Sequence, residues 1–127
     1  MFSNSIAPSV VAASVEALTI LEESPVVINQ LAKNTAQFRQ GLKAAGFTVS
    51  GNDSIPIVPV MIGDARKAAD MASELMNHGI YVIGFSYPVV PKDKARIRCQ
   101  LSAAHTPEQV EKTVNAFIEV GKAMKII

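Results

Sequence analysis

Cysteine is nearly absent from this sequence. A single residue, Cys99, excludes an intrachain disulfide and is compatible with a reducing compartment. Charge of one sign is also missing. Twelve Lys and Arg stand against eleven Asp and Glu for a formal net charge of +1, with no basic run, so nothing points to nucleic acid. No apolar run approaches the length of a membrane span. The opening Met1-Phe-Ser-Asn-Ser lacks the basic region and apolar core of a signal peptide. There is no Gly-rich phosphate loop, no Cys/His metal cluster, no hydrolytic triad, no internal repeat and no linker. What remains is 127 residues, 49% of them hydrophobic and 18% charged, which suits one globular domain with a real core. The apolar share is high for that size, as if part of the surface were meant for a partner.

Taken in order, the chain opens irregularly from Phe2 to Pro8, and a helix runs from Pro8 to about Glu23. Val11, Val15 and Leu18 recur at helical spacing and small residues fill most other faces. Such a helix is normally buried all round, so it is expected to pack outside a one-sided layer. A second helix spans Pro25 to about Ala45, with Val27, Leu31, Phe38 and Leu42 as its apolar stripe and Gln30, Lys33, Gln37, Arg39 and Lys43 opposite. Gly46 ends it. Phe47-Thr-Val is a short strand. Ile55 to Ile62 is β-branched but carries Pro56 and Pro59, which predicts an edge strand or an irregular start. Asp64 caps a helix from Ala65 to about His78, and Ile80 to Phe85 is the next strand. Pro107 to about Met124 is the last helix, with Val110, Val114, Phe117 and Val120 inward. Helix, helix, strand, strand, helix, strand, strand, helix predicts an α+β fold, with helices packed on one face of a small, largely antiparallel sheet.

The stretch from Tyr87 to Pro107 carries the most information. Pro88 and Pro91 predict an extended loop. From Ala95 to Leu101 the residues alternate. Ala95, Ile97, Cys99 and Leu101 face one way, and Arg96, Arg98 and Gln100 the other. Thr106-Pro-Glu-Gln then reads as a capped helix start. An arginine fork on a rigid strand suits a carboxylate or a phosphate. The same spacing also suits a solvated strand face or a structural ion pair. His78 stands at a helix end, where the dipole favours a cation, and His105 precedes the cap; neither reads as a catalytic base. The acids Asp64, Asp70, Glu74, Glu108 and Glu111 fall at helix starts or outer faces. Composition and topology alone fit a non-catalytic small α+β binding or dimerisation module.

The motifs carry more than the pattern does. Tyr87-Pro-Val-Val-Pro-Lys, Ala95-Arg-Ile-Arg and Ser102-Ala-Ala-His-Thr-Pro-Glu-Gln resemble the C-terminal region of the glycine C-acetyltransferases. These enzymes, also called 2-amino-3-ketobutyrate coenzyme A ligases, are α-oxoamine synthases, pyridoxal-phosphate enzymes of the aspartate-aminotransferase fold type. The resemblance extends through Gly79-Ile-Tyr-Val-Ile-Gly-Phe back to Phe2-Ser-Asn-Ser-Ile-Ala-Pro, and so covers the chain but only the last part of the family's longer enzyme. It implies that residues 1–127 are the C-terminal domain, with the helical segments of residues 8–45 joining a large domain. It implies a homodimer, and a reaction that condenses glycine with acetyl-CoA to 2-amino-3-oxobutyrate and CoA. Arg98 matches the residue that binds the amino-acid carboxylate. Ser3 and Asn4 match the segment that reaches the cofactor phosphate of the neighbouring subunit. The family's Schiff-base lysine lies upstream, and no lysine here, such as Lys33, Lys67 or Lys94, has a matching context. The chain alone is therefore expected to hold no pyridoxal phosphate, to have no catalytic residue or metal of its own, and to be inactive. Cys99 stands where the family has threonine or valine. The compartment implied is cytoplasmic or mitochondrial.

Overall fold

The computed structural model describes residues 4–127. Eight elements follow one another: α1 (Pro8–Glu23), α2 (Pro25–Ala44), β1 (Thr48–Val49), β2 (Ile57–Gly63), α3 (Ala65–Asn77), β3 (Ile83–Phe85), β4 (Ala95–Gln100) and α4 (Pro107–Ala123). The strands form one sheet in the order β1-β2-β4-β3, with every neighbouring pair antiparallel. Val58 and Val60 of β2 and Ile97 and Cys99 of β4 point to one face, where they meet Phe38 and Leu42 of α2, Met71 and Leu75 of α3, and Val110, Val114, Phe117 and Val120 of α4. The expected α+β layer, with helices on one face of an antiparallel sheet, is what forms.

Local chemistry explains the helix starts. Asp64 Oδ1 accepts from the Lys67 amide at 2.8 Å. At α4 the capping box is complete: the Gln109 amide donates to Thr106 Oγ1 at 3.2 Å and the Thr106 amide to Gln109 Oε1 at 2.9 Å. Gly84, on the helix side of β3, lets α3 lie close, since a Cβ there would sit 3.1 Å from the Ala68 carbonyl oxygen.

Four expectations need correction. First, of the two alternatives for Ile55 to Ile62 the irregular start holds, since the strand begins only at Ile57, but the edge position does not: β2 is interior to the sheet, between β1 and β4. Pro59 is tolerated because its carbonyl and its missing N–H share the β1 side, and β1 has ended there; the Ser50 amide just beyond it donates to the Pro59 carbonyl at 2.9 Å. Second, the strand expected over Ile80–Phe85 pairs only from Ile83 to Phe85. Third, the proline loop is not extended. It folds into turns closed by Val89 N–H to the Ser86 carbonyl and Lys94 N–H to the Pro91 carbonyl, with a cis Tyr87–Pro88 bond. Fourth, Arg39 is not on a solvated face. It is 2% exposed, while Val27, assigned to the stripe, is exposed.

That buried face of α2 ties two loops down. Arg39 Nη1 donates to the Ser50 carbonyl at 2.9 Å, and Nη2 to the Ile55 and Ile57 carbonyls at 3.2 Å each. Asn34 Nδ2 donates to the carbonyls of Ser102 and His105, at 2.9 and 2.8 Å. The loop after β4 is thereby fixed to α2. In contrast α1 has no buried residue and packs along α2; Val10, Val11, Val15, Leu18, Ile20 and Leu21 are all exposed.

Candidate carboxylate site

The sheet has a second face without a helical cover. Register sets its rows: Pro59, Arg98 and Ile83 lie side by side across β2, β4 and β3, and Met61, Arg96 and Phe85 form the next row. Both arginines thus stand on the open face, as the alternation predicted, but in different states. Arg96 is half-buried and its Nε donates to the Lys94 carbonyl at 3.1 Å. Arg98 is exposed, and among the described residues its guanidinium has no hydrogen-bond acceptor and no carboxylate at ion-pair distance. Its one partner is the ring of Phe85, with Cζ 4.5 Å from the ring centroid. An aromatic face takes the π surface of a guanidinium and leaves the N–H edges free, so the fork remains available for a bidentate acceptor.

The remaining candidates fall elsewhere. Asn4 is exposed in the coil before α1, and among the described residues no hydrogen bond or ion pair joins it to Arg98 or the sheet. Ser3 lies outside the described residues. His105 is structural: its Nδ1 accepts from the Ser102 amide at 3.2 Å and its carbonyl from Asn34. His78 is the C-cap of α3, with Nε2 3.9 Å from Glu74 Oε1. Cys99 points into the core, and burial pushes its thiol up to about 12. Near the Arg39 loop, a hydrogen bond from Lys43 holds the exposed Asp53 carboxyl below its ordinary value. A cavity of about 490 Å³ between the 79–82 segment and α4 opens on the helix side, lined by Phe38, Val110 and Lys112, and does not include Arg98. Sequence reasoning missed Phe85. It sits one pleat diagonal from Arg98 on a different strand, and only the β3–β4 register reveals that.

The family model for aminotransferase class I and II matches residues 1–117. The chain belongs to that family. Among curated proteins it is 54% identical over 122 residues to the mitochondrial 2-amino-3-ketobutyrate coenzyme A ligase of Mus musculus, covering 96% of this chain and 29% of that protein. It is 52% identical over 127 residues to the enzyme of the same name from Salmonella typhimurium, covering 100% and 32%. The chain therefore spans about a third or less of the length of these relatives. A solved serine palmitoyltransferase from S. paucimobilis, with a bound PLP–myriocin aldimine, superposes with a TM-score of 0.88 at 32% identity, over 100% of this chain and 32% of that one. The resemblance to the glycine C-acetyltransferases is borne out, and the relatives are enzymes, as it implied. Every lysine of this family member is exposed, and none is walled in as a Schiff-base amine would be. No helix among the described residues is long and apolar enough to cross a membrane.

Proposed function

We propose that this chain is the carboxylate-binding C-terminal domain of a glycine C-acetyltransferase, with Arg98 gripping the carboxylate of glycine. One observation carries the reading: Arg98 is a guanidinium on the open sheet face with its N–H edges unused among the described residues. A free, charged fork held on a strand is what a small α-carboxylate needs, because paired donors fix both its position and its plane. The identity to the 2-amino-3-ketobutyrate coenzyme A ligases supports glycine and acetyl-CoA as the substrates of this reading, with 2-amino-3-oxobutyrate and CoA as its products.

In this reading pyridoxal phosphate, bound by the whole enzyme, supplies the electron sink for chemistry at the glycine α-carbon. The present residues bind and orient the substrate; alone they are not catalytic. Residues 8–45 join the large domain through the apolar side chains that α1 exposes. Ser3 and Asn4 reach the cofactor phosphate of a neighbouring subunit in a homodimer. The compartment is cytoplasmic or mitochondrial.

The test compares two arginines in the full-length enzyme. Arg98→Lys replaces a planar fork by a point charge. Losing a desolvated, charge-assisted pair costs about 2–4 kcal/mol, roughly thirty- to a thousandfold in the Michaelis constant for glycine. Arg96→Lys should do far less, because Arg96 Nε already serves the Lys94 carbonyl. Equal glycine effects at the two positions, or an Arg98 effect confined to acetyl-CoA, would mean that the carboxylate is held elsewhere.

A further inference from the structure

We propose that Phe85 is a positioning residue for Arg98, holding its guanidinium plane at the angle that presents the donor edge to the substrate carboxylate; the proposal rests on the carboxylate reading of Arg98. Arg98 has a long, rotatable side chain and, among the described residues, no hydrogen bond or ion pair to fix it. Its only anchor is the Phe85 ring, at 4.5 Å from Cζ to the centroid. Phe85 itself is fixed. It is half-buried at the end of β3, paired by register to Arg96, and follows Gly84, whose lack of a Cβ lets α3 press against the strand.

The geometry favours positioning over mere packing. A ring stacked on the guanidinium restricts rotation about the outer torsions without occupying a donor. The residue directly opposite Arg98 on β3 is Ile83, which is 45% exposed and offers no acceptor. On the other side lies Pro59, also without a side-chain acceptor. Across the sheet Arg98 is therefore flanked by apolar side chains that cannot compete for its N–H groups, and one aromatic face orients them; along β4 its same-face neighbours are Arg96 and Gln100, and among the described residues neither is hydrogen-bonded to it. Removing the ring leaves the charge in place but frees it to sample many rotamers, so binding must then order it. The affected ligand is the one bearing the carboxylate, and the acyl donor should not notice.

The experiment uses the full-length enzyme with Phe85→Leu, Phe85→Tyr and Arg98→Lys. Glycine affinity is read by calorimetric titration, alongside the separate Michaelis constants for glycine and acetyl-CoA. Phe85→Leu is expected to weaken glycine roughly three- to thirtyfold, the range of a cation–π contact from exposed to desolvated. The acetyl-CoA constant should stay within about twofold, and Phe85→Tyr, which keeps the ring, should retain the parent glycine affinity. Should the leucine protein fail to fold, Phe85→Met serves as the second non-aromatic variant. The proposal is overturned if a folded non-aromatic variant binds glycine like the parent, if glycine and acetyl-CoA suffer equally, or if tyrosine is as poor as leucine. Arg98→Lys separates the two ideas. A glycine defect there without one at Phe85 removes only the positioning role, whereas no defect at Arg98 removes the carboxylate reading beneath it.

Discussion

Arg39→Met is the substitution that most directly tests how this domain is held together. The guanidinium is 2% exposed and donates to the carbonyls of Ser50, Ile55 and Ile57, closing the loop between β1 and β2 onto α2. Each charge-assisted bond contributes about 1.5–3 kcal/mol. The three do not simply add. Ser50, Ile55 and Ile57 are themselves exposed residues, so water can reach part of what the arginine leaves. Methionine also keeps the apolar stem and removes Nε, which is buried without a partner among the described residues. A net loss of about 2–4 kcal/mol follows, a large fraction of the roughly 5–15 kcal/mol of a typical domain. With a urea slope of about 1.5–2 kcal/mol/M, the midpoint should fall by roughly 1–2.5 M with the slope unchanged. Asp53→Asn is the control. Asp53 lies 3.6 Å from Arg39 but is 71% exposed, so its removal should move the midpoint little. A midpoint within about 0.5 M of the parent for Arg39→Met would refute the carbonyl clamp. Equal losses at Arg39 and Asp53 would mean that the ion pair, not the carbonyls, carries the interaction.

Two further outcomes can be checked on the same protein. At Gly121, a methyl carbon would lie 2.5 Å from Cζ of Phe47, whose ring is wedged edge-on against Phe117, so Gly121→Ala should lower the thermal midpoint; overpacking at about 1–3 kcal/mol outweighs the roughly 1 kcal/mol of helix propensity gained. Cys99 should resist alkylation near pH 8 until urea unfolds the chain, because burial raises the thiol from 9.0 to about 12 and only the thiolate reacts. The sign for stability follows: the contribution is fully present below pH 9 and is lost as pH rises toward 12, where the unfolded thiol ionises first.

Much of the fold was legible because local signals agreed with the layer. The alternation from Ala95 to Leu101 set which side chains of β4 face the helices, and Ala95, Ile97 and Cys99 are buried as read. Thr106 and Asp64 announced their helices by capping chemistry that needs only three or four neighbouring residues. The even apolarity of α1 anticipated a helix with no place in the one-sided core. What escaped were features that depend on distant backbone. Arg39 looked solvated because its position on α2 alternates with polar residues, and nothing local says that three loop carbonyls will converge on it. Asn34 is the same case, anchored to carbonyls 68 and 71 residues away. Pro59 looked like an edge signal because the early end of β1 cannot be seen from β2 alone. Phe85 was invisible as a companion of Arg98 until the strand register was known.

The four arginines make the functional argument sharper than any motif. Arg39 is buried and engaged by carbonyls, so it can bind nothing else without unfolding the loop. Arg66 is 92% exposed on α3 and pairs loosely with Asp70 at 3.9 Å, an arrangement worth little. Arg96 has committed its Nε to the backbone beside it. Arg98 alone combines a fixed strand, an orienting ring and unused donors. In a dimerisation module the partner would have to bring an acceptor to that fork, since a charged group at an interface gains only when it is paired. The exposed apolar side of α1 fits either reading, because a large domain or a second copy would bury it equally well. The asymmetry between Arg96, whose Nε is committed, and Arg98, which is held only by a ring, suits the proposed carboxylate ligand, because a carboxylate takes two parallel N–H bonds from one edge of the fork.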